Sequence, residues 1–291
     1  MKNPVNILVT GAHGQLGSCL KAMSENYPDF QFRFTSKSDL NITDKTALEV
    51  FFEENNFTHC INTAAYTNVE EAEKEVEKAF LVNAESVKNL AAICKNNNVI
   101  LYHLSTDYVF DGMKTTPYYE EDLTNPINVY GASKLKGEQY IQEIGGDYFI
   151  LRTSWLYSQY GHNFLNTILR LASEDKPMTI TTEQTGTPTN ANDLAAVILE
   201  LISQDCQAFG VYHYSNAGQT TWYGFAKAIL ENIPKYKHAK LAKTDYYRTF
   251  AKRPKYSVLD NTKAKKELNI TQNEWQESLQ LLIKNIKINN S

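Results

Sequence analysis

The 291-residue chain has little of what staples or interrupts a fold. Its four cysteines, Cys19, Cys60, Cys94 and Cys206, lie far apart with no C-x-x-C pair. Zinc-ribbon and thioredoxin-type readings therefore fail, and the four read as reduced, apolar filler. No apolar run approaches the roughly 18 residues of a membrane-spanning helix. The N-terminus runs directly into Asn6-Ile7-Leu8-Val9-Thr10-Gly11, shorter than a signal peptide requires, so a cytoplasmic protein is expected. There is no basic excess: 29 Lys and Arg stand against 33 Asp and Glu, a net charge of −4. That argues against a dedicated nucleic-acid binder and leaves room only for a local basic pocket. The six histidines show no metal-ligand spacing, and His103, on an apolar run, reads as a satisfied core residue. Repeats, low-complexity blocks and Pro/Gly-rich linkers are absent too.

What is present is an ordinary globular composition, 42% hydrophobic and 21% charged, long enough to bury a large core without staples. The first half alternates short apolar runs with helical patterns. Strands are predicted at Val5 to Thr10, Gln31 to Thr35, Cys60 to Ala65, Val99 to Ser105 and Tyr148 to Thr153. Helices are predicted near Leu16 to Glu25, Lys45 to Glu54, Val76 to Asn96 and Tyr130 to Glu143. This order predicts an α/β fold, a Rossmann-like doubly wound parallel sheet buried on both faces. After Trp155 the pattern loosens: a strand at Gly210 to Ser215, helices near Phe164, Asp193 and Trp222, and a closing amphipathic helix from Asn273 to Ile288. The expected division is residues 1–155 for the dinucleotide side and 156–291, interleaved with it, for a smaller substrate-binding α/β region.

Gly11-Ala12-His13-Gly14-Gln15-Leu16-Gly17 follows the first strand and opens a helix. In such a turn the first glycine makes the bend, the second admits a diphosphate to the backbone and the third packs helix on strand. At the end of the second strand, where a ribose-binding acid is usual, stand Ser36 and Lys37, followed by Asp39 and Leu40. A hydroxyl and a lysine suit a 2′-phosphate, so NADPH is expected, with NADH possible because Asp39 is near enough to reach the adenosine.

Tyr130 and Lys134, at i and i+4, share a helix face. A neighbouring ammonium favours phenolate and is expected to lower the tyrosine pKa, tuning it for proton transfer. Thr106 and Asp107 stand at the carboxyl end of the fourth strand, where open α/β sheets bind their ligands. A threonine hydroxyl there can hydrogen-bond a reacting oxygen, or close a Ser/Thr turn. The run Glu70 to Lys78 reads as a solvated helix face. Lys235 to Lys243 read as surface or as a steering patch for a diphosphate, Tyr246 and Tyr247 as packing residues or a base stack, and Arg253 as a diphosphate fork.

The glycine turn, the Ser105–Gly112 segment and the Tyr130–Lys134 pair together resemble the extended short-chain dehydrogenase/reductase family. Asn62 to Glu70, Gly137-Glu138, Arg152 to Tyr157, Gln184 to Thr189, Arg253-Pro254, Ser257, Leu259 and Asp260 extend the likeness over nearly the whole chain, toward the reductases that complete dTDP-L-rhamnose synthesis. The resemblance implies reduction of the 4-keto group of a nucleotide-linked sugar. It implies cofactor contacts at Gly14, Gln15, Leu16, Asp39, Leu40, Ala64, Ala65 and Tyr66. Tyr130 would be the proton donor, Lys134 its partner, Thr106 the keto-oxygen ligand with Asp107 beside it, and Trp155 and Arg253 substrate contacts. Some family members pair through magnesium held by acidic residues. Here Ser18 and Cys19 follow the turn, and the chain ends Asn289-Asn290-Ser291, so magnesium is not expected; a monomer or homodimer is. Two other readings stay in view. One is an epimerase or dehydratase of the same fold, the latter disfavoured by Tyr108 where it would have Glu. The other is a non-catalytic dinucleotide-binding subunit.

Overall fold

The computed structural model describes residues 4–246 and 249–289. The first lobe is built on strands β1 (Val5–Thr10), β2 (Phe30–Thr35), β3 (His59–Asn62), β4 (Ile100–Thr106) and β5 (Tyr148–Thr153). Helices α1 (Gln15–Met23), α2 (Lys45–Glu53), α3 (Val69–Ala72), α4 (Val76–Phe80), α5 (Ser86–Asn96) and α6 (Val129–Ile144) alternate with them. Residue neighbours on β1 explain its unbroken apolar run: Ile7 and Val9 pack on one face of the sheet and Leu8 on the other.

The second half of the chain contributes α7 (Phe164–Ser173), β6 (Met178–Thr181), α8 (Ala191–Ser203), β7 (Gly210–His213), α9 (Trp222–Glu231), β8 (Leu241–Thr244), α10 (Thr262–Leu268) and α11 (Trp275–Asn289). Two of these return to the first lobe. β7 adds to the edge of the sheet beside β5, and α8 packs with α1 over one face. The six strands lie in the order β7-β5-β4-β3-β1-β2, all parallel. The order reverses between β1 and β3, which opens a crevice at their carboxyl ends. Helices α7, α9 and α11 enclose a separate apolar core with Phe225 and Trp275 at its centre.

The predicted Val76–Asn96 helix is interrupted. Residues Leu81–Glu85 form a π turn between α4 and α5, and a π turn commonly marks a functional site. The four cysteines are free thiols, with Cys19, Cys60 and Cys94 buried. Among the described residues, no helix is long and apolar enough to cross a membrane.

Candidate active site

At the end of β1 the chain turns through Gly11, whose φ of +69° suits glycine and whose absent Cβ would lie 2.7 Å from the Ala64 nitrogen. A Cβ on Gly17 would meet the Gly11 oxygen at 2.5 Å, so α1 sits directly on the turn. No side chain caps α1 at Gly14. Its first amides thus face the β1/β3 crevice without an internal partner, a cradle fitted to a diphosphate. The Gln15 side chain is used otherwise. Its amide donates to the Leu156 oxygen at 3.3 Å and accepts from Asn163 at 2.9 Å, tying the turn to the segment between β5 and α7. Leu16 is buried in the core. Only the backbones of these two residues remain for a ligand.

At the end of β2, Asp39 accepts from the Ser36 amide at 2.8 Å and from the Ser36 hydroxyl at 2.6 Å. Those two bonds, the hydroxyl's first, hold the Asp39 carboxyl below the usual range, helped by the charges of His13 and Arg33. The Ser36 hydroxyl, expected to face a phosphate, is thus committed to Asp39 and Ser38. Lys37 is exposed and Leu40 buried. After β3, Ala64, Ala65 and Tyr66 line the crevice edge, half-buried. Asn83 of the π turn clamps Tyr66 from both sides, accepting from its amide at 2.8 Å and donating to its carbonyl at 2.9 Å. The same Asn83 amide donates to the Ser133 hydroxyl on α6 at 3.0 Å. Sequence reasoning passed over Asn83. Its only signal was a polar residue inside the apolar run Leu81-Val82-Asn83-Ala84.

Asn128 caps α6, accepting from the Gly131 amide at 2.7 Å. A Cβ on Gly131 would fall 2.1 Å from the Tyr108 oxygen, so glycine lets the first turn of α6 press against the segment after β4. This brings Tyr130 onto Thr106 and Tyr108; the Tyr108 and Tyr130 rings meet edge to face with centroids 5.9 Å apart. Thr106 accepts from the Tyr108 amide at 3.1 Å and donates to Asp107 at 3.0 Å. The second Asp107 oxygen is buried without a partner.

The electrostatics depart from expectation. Burial pushes the Tyr130 phenol well above its usual range; its hydrogen bond with Thr106 offsets this only in part, and Asp107 and Tyr108 add to the rise. The expected lowering by Lys134 is not realised, because the amine is turned elsewhere. It donates to the Leu104 oxygen and faces His103 Nε2 at 3.3 Å. Burial lowers the Lys134 pKa to about 8, against the opposing charge of Glu138. Burial raises Asp107 to about 7, against the hydrogen bonds of Ser257, Thr106 and two backbone amides. Beneath the site, Arg152 and Glu138 form a buried bidentate pair at 2.7–3.1 Å, with Ser105 donating to the same carboxylate.

Trp155 has a left-handed backbone, φ +44°, and stacks on Trp222 with centroids 3.6 Å apart. A tryptophan held there carries strain that its neighbours must sustain. Arg253 donates to Tyr108 Oη at 3.2 Å and to Glu70 at 2.8 Å, while its Nε is buried without a partner. Glu70 also accepts from the amides of Phe250 and Ala251. Burial alone would raise its pKa; the bonds from Arg253, Ala251 and Phe250 outweigh this and hold it below the usual range. The 70–78 run is therefore not a simple solvated face. Glu70 anchors the Arg253 segment, Glu73 accepts from the Val129 amide at 2.7 Å and Glu75 from Tyr66 Oη at 2.7 Å. Tyr246 is exposed, and Tyr247 lies outside the described residues. Among those residues no group of three His, Cys, Asp or Glu side chains could hold a metal ion.

The family model for the RmlD substrate binding domain matches residues 5–288. The chain belongs to that family. Among members, the dTDP-4-dehydrorhamnose reductase of Aggregatibacter actinomycetemcomitans is 36% identical over 286 residues, covering 94% of this chain and 96% of the relative. That of Burkholderia thailandensis is 37% identical over 301 residues, with 97% and 99% covered. A solved structure of the Bacillus anthracis dTDP-4-dehydrorhamnose reductase in complex with NADP superposes with a TM-score of 0.90 at 35% identity, over 97% of this chain and 99% of that one. The family match therefore covers both halves of the chain, including the Arg253 segment.

Proposed function

We propose that this protein reduces the 4-keto group of dTDP-4-dehydro-L-rhamnose to give dTDP-L-rhamnose, using NADPH. What supports the reading is the packing of Tyr130 against Thr106 and Tyr108 at the carboxyl end of β4, with Lys134 one helical turn on, in a chain that aligns over 94–97% of its length with named reductases. NADPH, when bound, supplies the hydride. Gly11, Gly14 and Gly17, with the backbone amides of Gln15 and Leu16, would hold its diphosphate. Ala64, Ala65 and Tyr66 would flank its middle, and Lys37, with Ser36, Asp39 and Leu40 framing the pocket, would face the adenosine end.

The raised pKa of Tyr130 suits an acid. The phenol keeps its proton at neutral pH and releases it to the ketone oxygen as negative charge develops there. Thr106, whose one hydroxyl proton goes to Asp107 in the free protein, would turn that proton to the ketone oxygen, and a protonated Asp107 would donate to the Thr106 oxygen in its place. Lys134, part-titrated near neutral pH, would support the nicotinamide side; its amine, held by Leu104 and His103, is not turned to the phenol. Trp155 bounds the sugar, and Arg253 offers its unpaired Nε toward the nucleotide diphosphate.

The test is cofactor oxidation followed at 340 nm with dTDP-4-dehydro-L-rhamnose. Wild type is expected to consume NADPH in step with product, and Tyr130→Phe to lose at least a hundredfold in kcat, the usual scale of general acid catalysis. An unchanged rate in Tyr130→Phe refutes the assignment of the acid. Turnover without cofactor consumption would instead mark an epimerase.

A further inference from the structure

A chain of buried polar groups runs away from Lys134 through the centre of the sheet. The amine faces His103 Nε2 at 3.3 Å. His103 Nδ1 lies 3.1 Å from the Asn62 amide nitrogen, and Asn62 Oδ1 accepts from the Thr10 hydroxyl at 2.7 Å. All three residues beyond the lysine are no more than 1% exposed. They occupy β4, β3 and β1, and Asn62 is the register neighbour of both His103 and Thr10. The apolar Ile150 flanks His103 from β5. Among the described residues, the charge that acts on the amine is Glu138 on its own helix, paired with Arg152 of β5 and Ser105 of β4; Tyr130 stands one turn earlier on that helix. Asp107 lies on the far side of Thr106.

Hydrogen-bond donors and acceptors must match along such a chain. Burial and the Lys134 charge keep His103 neutral, so its ring has one N–H and one lone pair. With the Asn62 nitrogen toward Nδ1, that atom accepts and Nε2 carries the proton. Nε2–H must then donate to a neutral Lys134 amine, which donates in turn to the Leu104 oxygen. An ammonium at Lys134 offers no lone pair. It requires Nε2 as acceptor, the proton on Nδ1, the Asn62 oxygen turned to meet it, and the Asn62 nitrogen donating to Thr10, whose hydroxyl serves in either role. The change adds one proton in all: the amine gains a third N–H, and the single imidazole N–H passes from Nε2 to Nδ1.

We propose that Thr10, Asn62 and His103 form a two-state chain that follows the protonation of Lys134, with His103 the positioning residue that aims the amine and stabilises its charged form. This rests on the reading of Lys134 as part of the reductase site. It adds a residue that does not touch substrate and acts through the lysine.

The direct test needs neither substrate nor cofactor. Two-bond proton–nitrogen correlation spectra of the 15N-histidine-labelled, ligand-free protein, with His103 assigned through His103→Gln, report which ring nitrogen holds the proton. His103 is expected to stay neutral from pH 6 to 10, with its N–H moving from Nδ1 to Nε2 around the Lys134 pKa of about 8. Lys134→Met is expected to abolish the move. One tautomer throughout, formation of imidazolium, or a move that persists in Lys134→Met overturns the proposal. In turnover, His103→Phe is expected to shift the alkaline limb of kcat/KM down by about one pH unit, a tenfold loss of ammonium over amine. His103→Gln, whose amide oxygen can accept from the amine, is expected to restore part of it. A lowered Tm with an unmoved limb in both variants would mean packing alone and would also overturn the proposal. An inactive wild type with a switching tautomer would count against the reductase reading, whereas an active one with a fixed tautomer counts against the chain.

Discussion

Replacing Asp107 by Asn is expected to stabilise the protein increasingly as pH rises. Asp107 is 2% exposed, and one of its oxygens has no partner. Burial, partly opposed by Ser257, Thr106 and backbone hydrogen bonds, raises its pKa from 3.8 to about 7. The sign follows from linkage. The folded state holds this proton more tightly than the unfolded state, so the contribution is fully favourable below pH 4 and is lost as pH rises toward 7. At about 1.4 kcal/mol per unit, a shift of roughly three units amounts to about 4 kcal/mol over that window, an upper figure because buried carboxylates relax and recruit water. Asparagine carries no charge and has no such dependence. Its amide nitrogen, placed where the unpaired oxygen was, costs about 1–3 kcal/mol at every pH. The absolute difference between the two proteins is therefore small, whereas its slope is not. Urea denaturation at pH 5, 6, 7 and 8 should show Asp107→Asn gaining about 2–4 kcal/mol on wild type across the series. A difference independent of pH refutes the raised pKa and, with it, the view that Asp107 is partly protonated beside Thr106 at neutral pH.

Two further outcomes follow from the same geometry. Glu138→Ala strands the buried Arg152 guanidinium and should cost about 3–5 kcal/mol in urea denaturation, while Glu138→Met with Arg152→Met should recover at least half of that loss; equal losses in the single and double variants would show that the pair is not the source. Glu70→Ala frees the Phe250–Arg253 segment and should raise the KM for the nucleotide sugar about three- to tenfold with kcat little changed; an unchanged KM would show that the anchor does not serve substrate binding.

Much of the fold was legible in the sequence because a parallel sheet buried on both sides demands largely apolar strands, and β1, β3 and β4 supply them. The glycine turn and the Tyr130–Lys134 spacing were legible because backbone sterics and helix periodicity act over a few residues. The direction of the Lys134 amine was not. Spacing places a lysine one turn from a tyrosine, but which acceptor the amine chooses depends on a carbonyl and an imidazole from β4, 30 and 31 residues away in the chain. The role of Glu70 was hidden for a similar reason. Its partners lie about 180 residues downstream, and a charged run looks the same whether its members face water or a returning segment.

Three buried polar residues share a property that sequence does display. Asn62, Asn83 and His103 each sit within or beside an apolar run that the fold buries on every side, and each is at most 1% exposed. A polar group there loses water and must find partners inside the protein, at a cost of several kcal/mol if it fails. An isolated surface polar residue needs no such explanation. Because those partners must themselves be buried and fixed, such residues mark where elements from distant parts of the chain are joined by hydrogen bonds rather than by packing alone. Here they join at two places: Asn83 locks the crevice edge to α6, and His103 and Asn62 reach the same helix from beneath, through Lys134. Both links converge on the turn of α6 that carries Tyr130 and Lys134. A polar interruption in a buried strand or helix is therefore evidence about site architecture even where its side chain touches no ligand.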